Sequence, residues 1–195
     1  MRLSDVDILE KLRGGQIVID PPPTEACIGS FSIDVRLGDR FQIFQPPQTP
    51  YLDLADPGGA YALKAGTMQE VVVEPGGRFF LHPGAFALGV TVERIRLAHD
   101  IVGWLDGRSS LARVGLMVHM TAHAIDPGWD GRVTFEFFNA GHLPLALKPG
   151  IRIGAISFES LNSPTSRPYG HKQGAKYQGQ QGPLPSRIAR DDHTS

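Results

Sequence analysis

Residues 30–38 read SFSIDVRLG, and their period decides the fold. Phe31, Ile33, Val35 and Leu37 alternate with Ser32, Asp34 and Arg36, so one face is apolar and the other polar. That is the pattern of a half-buried β-strand. Outward from it the same vocabulary recurs in RFQIF, EVVVE, RFFL, FALGVTVERIRLA, GLMVHMTAHAID, RVTFEFFN and IRIGAISFESL. Between these runs stand Pro-Gly pairs at 57–58, 75–76, 83–84, 127–128 and 149–150. Proline presets φ for the second position of a tight turn, and glycine accepts positive φ at the third. Many short strands punctuated in this way predict an all-β sandwich, jelly roll or barrel rather than βαβ units. One short helix precedes them. Ser4 caps it, Asp7 sits at capping-box spacing, Ile8, Leu9 and Leu12 form its apolar face, and Gly14-Gly15 ends it. No internal repeat or linker divides residues 1–195, which predicts a single domain.

The chain has 195 residues and is 41% hydrophobic, enough to bury a core. Its 19 basic and 20 acidic residues give a net charge of −1, so bulk attraction to nucleic acid or an anionic membrane is not encoded. No apolar run is long enough for a transmembrane helix, and MRLSDVDILEKLRGG has no signal-peptide core. A cytoplasmic location is expected. Cys27 is the single cysteine, which excludes an internal disulfide and a cysteine-based zinc cage.

Several residues could carry chemistry. Glu136 lies in GRVTFEFFN, residues 131–139, between two phenylalanines. Alternation puts Thr134, Glu136 and Phe138 on one face and Val133, Phe135 and Phe137 on the other. Glu136 is therefore either a solvated rim residue or a partly buried carboxylate. Partial burial raises a carboxyl pKa in general and suits it to proton transfer near neutral pH. In GWLDGRSSLARVGL, residues 103–116, Arg108, Ser109, Ser110 and Arg113 offer guanidinium and hydroxyl groups for a phosphate, though Arg-Ser-Ser is also ordinary loop chemistry. The Walker pattern is absent. HMTAH would place His119 and His123 ~13 Å apart on a strand at about 3.3 Å per residue, too far to share a metal. In AIDPGW, Asp126 can cap a turn or accept a bond from a sugar hydroxyl, with Trp129 packing nearby. Residues 163–195, rich in Gly, Pro, Gln and Ser, read either as a frayed tail or as a lid that orders on a ligand. As a lid, Tyr169, Lys176 and Gln180 would supply an aromatic face, a cation and an amide to a nucleotide phosphate.

Taken together, GWLDGRSSLARVGL, HMTAHAIDPGWDGRVTFEFFN, LPLALKPGIRIGAISFESL and RPYGHKQGAKYQGQQG closely resemble the dCTP deaminase family, and MRLSDVDI and SIDVRLGDRF fit as well. The resemblance covers nearly the whole chain, in order. It implies the distorted jelly roll of the trimeric dUTPases, a homotrimer, and active sites where subunits meet. It implies that Glu136 is the general acid/base that activates water against C4 of cytosine, without zinc, and that Mg²⁺ accompanies the triphosphate. The zinc deaminases instead use an HxE…PCxxC signature, which a chain with one cysteine cannot form. The family's nucleotide contacts fall on Arg108, Ser109, Ser110, Leu111, Ala112, Arg113, Asp126, Thr134, Phe135, Glu136, Tyr169, Lys176 and Gln180. Asp126 would hold the 3′-hydroxyl, while Ser109 and Arg113 would stand near Glu136 or the phosphates, supplied by a neighbouring subunit.

One position departs from the pattern. Enzymes that only deaminate often read TAHRIDPGW, whereas this chain has Ala124 in place of the arginine. Bifunctional relatives, which also cut dUTP to dUMP and pyrophosphate, tend to have a small or apolar pair where His123-Ala124 stands. His123 points to deamination alone, and Ala124 removes a cation. The resemblance also implies that dTTP, the end product of the route, binds the same site and favours an inactive arrangement, with HMTAHAID the candidate switch for such feedback. The rival from another class is a non-catalytic jelly-roll module that binds nucleotide without turnover.

Overall fold

The computed structural model describes residues 1–45, 50–55 and 67–190, so the Pro57-Gly58 turn and the last five residues of the tail lie outside the described residues. Helix α1, Asp5–Arg13, begins with the expected reciprocal capping box: the Ser4 side chain accepts from the Asp7 N–H, and the Asp7 carboxylate accepts from the Ser4 N–H at 3.0 Å. The Ser4 backbone and hydroxyl donors hold the Asp7 carboxyl below its ordinary value. Its contribution is therefore present above the usual carboxylate range and is lost as pH falls through the lowered value.

Eleven strands follow among the described residues: β1 (Ile17–Asp20), β2 (Ser32–Phe44), β3 (Met68–Val72), β4 (Phe79–Leu81), β5 (Phe86–Leu97), β6 (Ile101–Gly107), β7 (Leu116–Met117), β8 (Ala124–Ile125), β9 (Asp130–Asn139), β10 (Leu145–Leu147) and β11 (Arg152–Ser160). A four-residue helix, α2 (Ser109–Ala112), separates β6 from β7. The main sheet runs β7-β9-β5-β2-β11-β6-β8, with β1 added to β5 and β3 to β2, while β4 and β10 form a separate ribbon. All its pairings are antiparallel. The fold is the mostly β architecture that the alternation predicts, in a curled rather than flat sheet. Register shifts between Leu37 and Phe41 of β2, and between Val90 and Arg94 of β5, bend the two longest strands. Each long strand can then serve two different neighbours along its length.

At the β5 shift, Glu93 is a buried carboxylate, and it accepts from the Arg36 N–H at 2.9 Å and from Arg36 Nε at 2.6 Å. A buried charge is tolerable only when paired in this way. Thr91 Oγ1 completes the bend by donating to Glu93 O and accepting from the Val133 N–H.

The expected apolar face of SFSIDVRLG is present in Ile33, Val35 and Leu37, all fully buried. Phe31 departs from it: it precedes β2 and is 54% exposed. The core includes Phe41, Phe135, Phe137 and Phe158, with Phe41 stacked on Phe79 at 4.1 Å. Each such ring contributes roughly 1.5–3 kcal/mol by its removal from water.

The glycines of the described Pro-Gly pairs have positive φ, as their turns require. Gly115 shows a stricter need. Its φ is +91°, and a Cβ there would stand 2.4 Å from Gly141 N. Gly115→Ala therefore forces the α2–β7 connection off the chain end of β9. We expect a loss of roughly 2 kcal/mol or more, read as a lower urea midpoint at unchanged slope.

The largest correction concerns HMTAH. Instead of a continuous strand, β7 stops at Met117 and β8 resumes at Ala124, with a loop between them. His119 and His123 stack with ring centroids 5.1 Å apart, not at the strand separation. The cause lies across the sheet. Val118 O still accepts from the Glu136 N–H at 3.0 Å, but the next donor, the Met120 N–H, is taken by Glu136 Oε2 at 3.0 Å. A side-chain carboxylate replaces a ladder carbonyl, and the chain peels away.

Candidate active site

A cavity of about 470 Å³ opens between β9, the 122–126 segment and the C-terminal segment. Its floor is set by β9, whose alternating burial sends Val133, Phe135 and Phe137 into the core and leaves Thr134 and Glu136 half-buried on the cavity side. The expected faces are therefore correct. Leu88 stands opposite Glu136 in the β5–β9 register and forms part of the same wall.

Of the residues singled out in the sequence, Asp126, Thr134, Glu136, Tyr169 and Gln180 line this cavity, together with His123 and Ala124. Phe135 does not line the cavity; the whole residue is buried in the core. Arg108, Ser109, Ser110, Leu111, Ala112 and Arg113 are outside the lining, and so is Lys176. Ser109, Ser110 and Arg113 are exposed on and beside α2, while Leu111 packs against the core. Arg108 is half-buried, with its guanidinium 3.3 Å from Asp34 Oδ2. Within one chain, the cradle and the glutamate are separate features.

The C-terminal segment packs onto this cavity. Gln180 is buried, and its Nε2 donates to Arg132 O at 2.7 Å and to Thr134 Oγ1 at 2.8 Å. Its Oε1 is buried and has no hydrogen-bond partner among the described residues. Tyr169 packs against Trp129 at 5.2 Å between centroids, and Tyr169 Oη accepts from the Tyr177 N–H. Gly128 makes that approach possible: Pro168 is so close that a Cβ on Gly128 would lie 2.6 Å from the proline ring. Asp126 is half-exposed, with Lys172 Nζ of the same segment 3.9 Å away.

The sequence reading missed Tyr177, Leu88 and the Met120 N–H. Tyr177 stood in GAKYQGQQG between Lys176 and Gln180, so its aromatic character was a usable signal. Leu88 and Met120 carried none, since Leu88 meets Glu136 only through strand register and Met120 only through a backbone bond to its side chain.

Among the described residues, no three of His, Cys, Asp and Glu converge as metal ligands, and no helix is long and apolar enough to cross a membrane.

Residues 2–161 match the family described as dCTP deaminase-like. A dCTP deaminase of Rhodospirillum rubrum is 57% identical over 192 residues, covering 98% of this chain and 98% of its own length. That of Shewanella loihica is 53% identical over 193 residues, covering 98% of this chain and all of its own. A solved 2'-deoxycytidine 5'-triphosphate deaminase from Agrobacterium tumefaciens superposes with a TM-score of 0.61 at 18% identity. It covers 82% of this chain, which spans 47% of that longer protein, and the likeness is one of fold.

Proposed function

The chain belongs to the dCTP deaminase-like family, and from that membership we propose that it converts dCTP and water to dUTP and ammonia. The observation that carries the reading is Glu136, a half-buried carboxylate on the cavity wall with one oxygen fixed by the Met120 N–H. Hydroxide is scarce at neutral pH, and the ring accepts attack at C4 only as N3 is protonated. Glu136 takes a proton from water as the oxygen adds to C4 and delivers it to N3. The hydroxyl proton of the adduct then reaches the amino nitrogen, the C4–N bond breaks, and ammonia leaves as C4=O forms. No cysteine cage is available for a zinc-bound water, since Cys27 is the single cysteine.

Asp126 accepts from the deoxyribose 3′-hydroxyl, with Trp129 beneath the sugar. The unpartnered Gln180 Oε1 is an acceptor that a bound ligand would satisfy. The substrate is the magnesium complex, Mg²⁺ being held by phosphate oxygens. Arg108, Ser109, Ser110 and Arg113 meet the triphosphate, with Tyr169, Lys176 and Gln180 closing over it. Because α2 and the Glu136 cavity are apart in one chain, the reading includes a homotrimer in which a neighbour supplies residues 108–113.

Ala124 favours a second reading. It is exposed at the cavity beside Asp126, leaving room where no cation stands. A bifunctional enzyme would use that room for a further hydrolysis of dUTP to dUMP and pyrophosphate. Chromatography of the nucleotides with a parallel ammonia assay separates the two. Stoichiometric dUTP and ammonia are expected; dUMP with pyrophosphate would establish the bifunctional alternative, and no ammonia would overturn both. Excess dTTP in the same assay should lower the rate if the 119–126 segment responds to the end product of the route; an equal rate with and without dTTP would remove that control.

A further inference from the structure

We propose that Asp34 is a positioning residue for the triphosphate subsite, holding Arg108 through a carboxylate that Arg152 shares. The inference rests on the reading that Arg108 meets the triphosphate. Asp34 lies on β2 with its side chain 20% exposed, and a single oxygen, Oδ2, faces both guanidinium groups. Arg108 Nη2 is 3.3 Å from it and Arg152 Nη1 is 3.2 Å from it. Arg108 is also held from the other side, where its Nη1 donates to Arg152 O at 3.1 Å. The β11–β2 register shift between Arg152 and Gly154 lies at this carbonyl, and Gly154 pairs with Gly107, next to Arg108. Arg152 is tied down in turn by its bond to Ala26 O.

Two fixed contacts on one guanidinium preorganise it, so less side-chain entropy is lost when an anion arrives. Sharing matters as much. A carboxylate with one private arginine would neutralise it, whereas one divided between two leaves the Asp34–Arg108–Arg152 group net cationic. Asp106 occupies the same row two strands away, across Ala155, but is exposed, and the carboxylate that pairs with both arginines is that of Asp34.

The test compares wild type, Asp34→Asn, Arg152→Met and Arg152→Lys, using dCTP as substrate and inorganic tripolyphosphate as competitor. Asp34→Asn should raise the KM for dCTP and the Ki of tripolyphosphate together, about tenfold, the weight of one charge-assisted contact. The kcat and Tm should stay near wild type. Unchanged or tighter binding would overturn the proposal, since Asp34 would then be a bystander or a brake. A fall confined to kcat or Tm would also overturn it, marking a structural role. Should Asp34→Asn fail to fold, Arg152→Met decides: weaker tripolyphosphate binding that Arg152→Lys restores is the expected result, and wild-type affinity in Arg152→Met sinks it. Calorimetric binding of tripolyphosphate to these proteins needs no turnover. A wild type that releases no ammonia therefore removes the deaminase reading while the cluster is still judged on its own.

Discussion

Glu136→Gln lowers kcat for dCTP by roughly 10²–10⁴-fold while leaving nucleotide affinity within a fewfold of wild type. The argument is one of charge at constant shape. Glutamine fills the same volume on β9, opposite Leu88, and its carbonyl oxygen can still accept from the Met120 N–H. The 118–123 segment therefore keeps its path, and the cavity keeps its wall. What disappears is a group able to take a proton from water and return it to N3. Single-turnover rates with equilibrium binding of dCTP separate the two quantities. Near-normal turnover by a folded Glu136→Gln would remove Glu136 from the chemistry; lost binding at equal rate would make it a substrate contact.

The second large effect comes from mixing two inactive proteins. Arg113 is exposed beside α2 and lies outside the cavity that holds Glu136. If the neighbouring subunit brings it there, Arg113→Ala and Glu136→Gln are each inactive alone, yet complement one another within one trimer. A site then works when its first subunit retains Glu136 and the next retains Arg113. With equal amounts and random assembly, about one site in four meets both conditions, so activity returns from near zero to roughly a quarter of wild type. Co-refolding the two variants and assaying ammonia gives the answer. No recovery above the sum of the separate variants would mean that one chain builds the whole site.

Much of this architecture was readable because local pattern and tertiary demand agree. Ser4 and Asp7 cap α1 through bonds three residues apart, and β9 alternates because one face meets the core. The failures have a common physical origin in contacts made far along the chain. HMTAH has enough apolar alternation to continue a strand, but the Glu136 side chain captures its backbone donor. Strand β6 escaped notice because Gly103 interrupts its apolar run; the structure needs the small residue there, where Ile125 and Leu97 close in. Strands β1 and β10 are three or four residues long and exist through their partners β5 and β4. At the site, Asp126, Glu136, Tyr169 and Gln180 were legible and do converge on one cavity. Arg108, Ser109, Ser110 and Arg113 were legible as a phosphate cradle in GWLDGRSSLARVGL, and the family resemblance added Leu111, Ala112, Thr134 and Phe135. The separation of residues 108–113 from that cavity is something no single-chain pattern could express.

The packing of Tyr169 on Trp129 has a practical consequence. The chain contains two tryptophans; Trp129 lines the cavity, and Trp104 packs on His123, which lines it. Trp129 lies against the C-terminal segment, while Trp104 lies 5.3 Å from the His123 ring. Indole emission responds to neighbouring rings and to water, so lifting residues 169–180 would wet Trp129 and shift its fluorescence to the red. If that segment lifts during turnover, a stopped-flow trace with unlabelled protein would time its undocking against the release of ammonia. Trp129 would then serve as a built-in optical reporter of that motion.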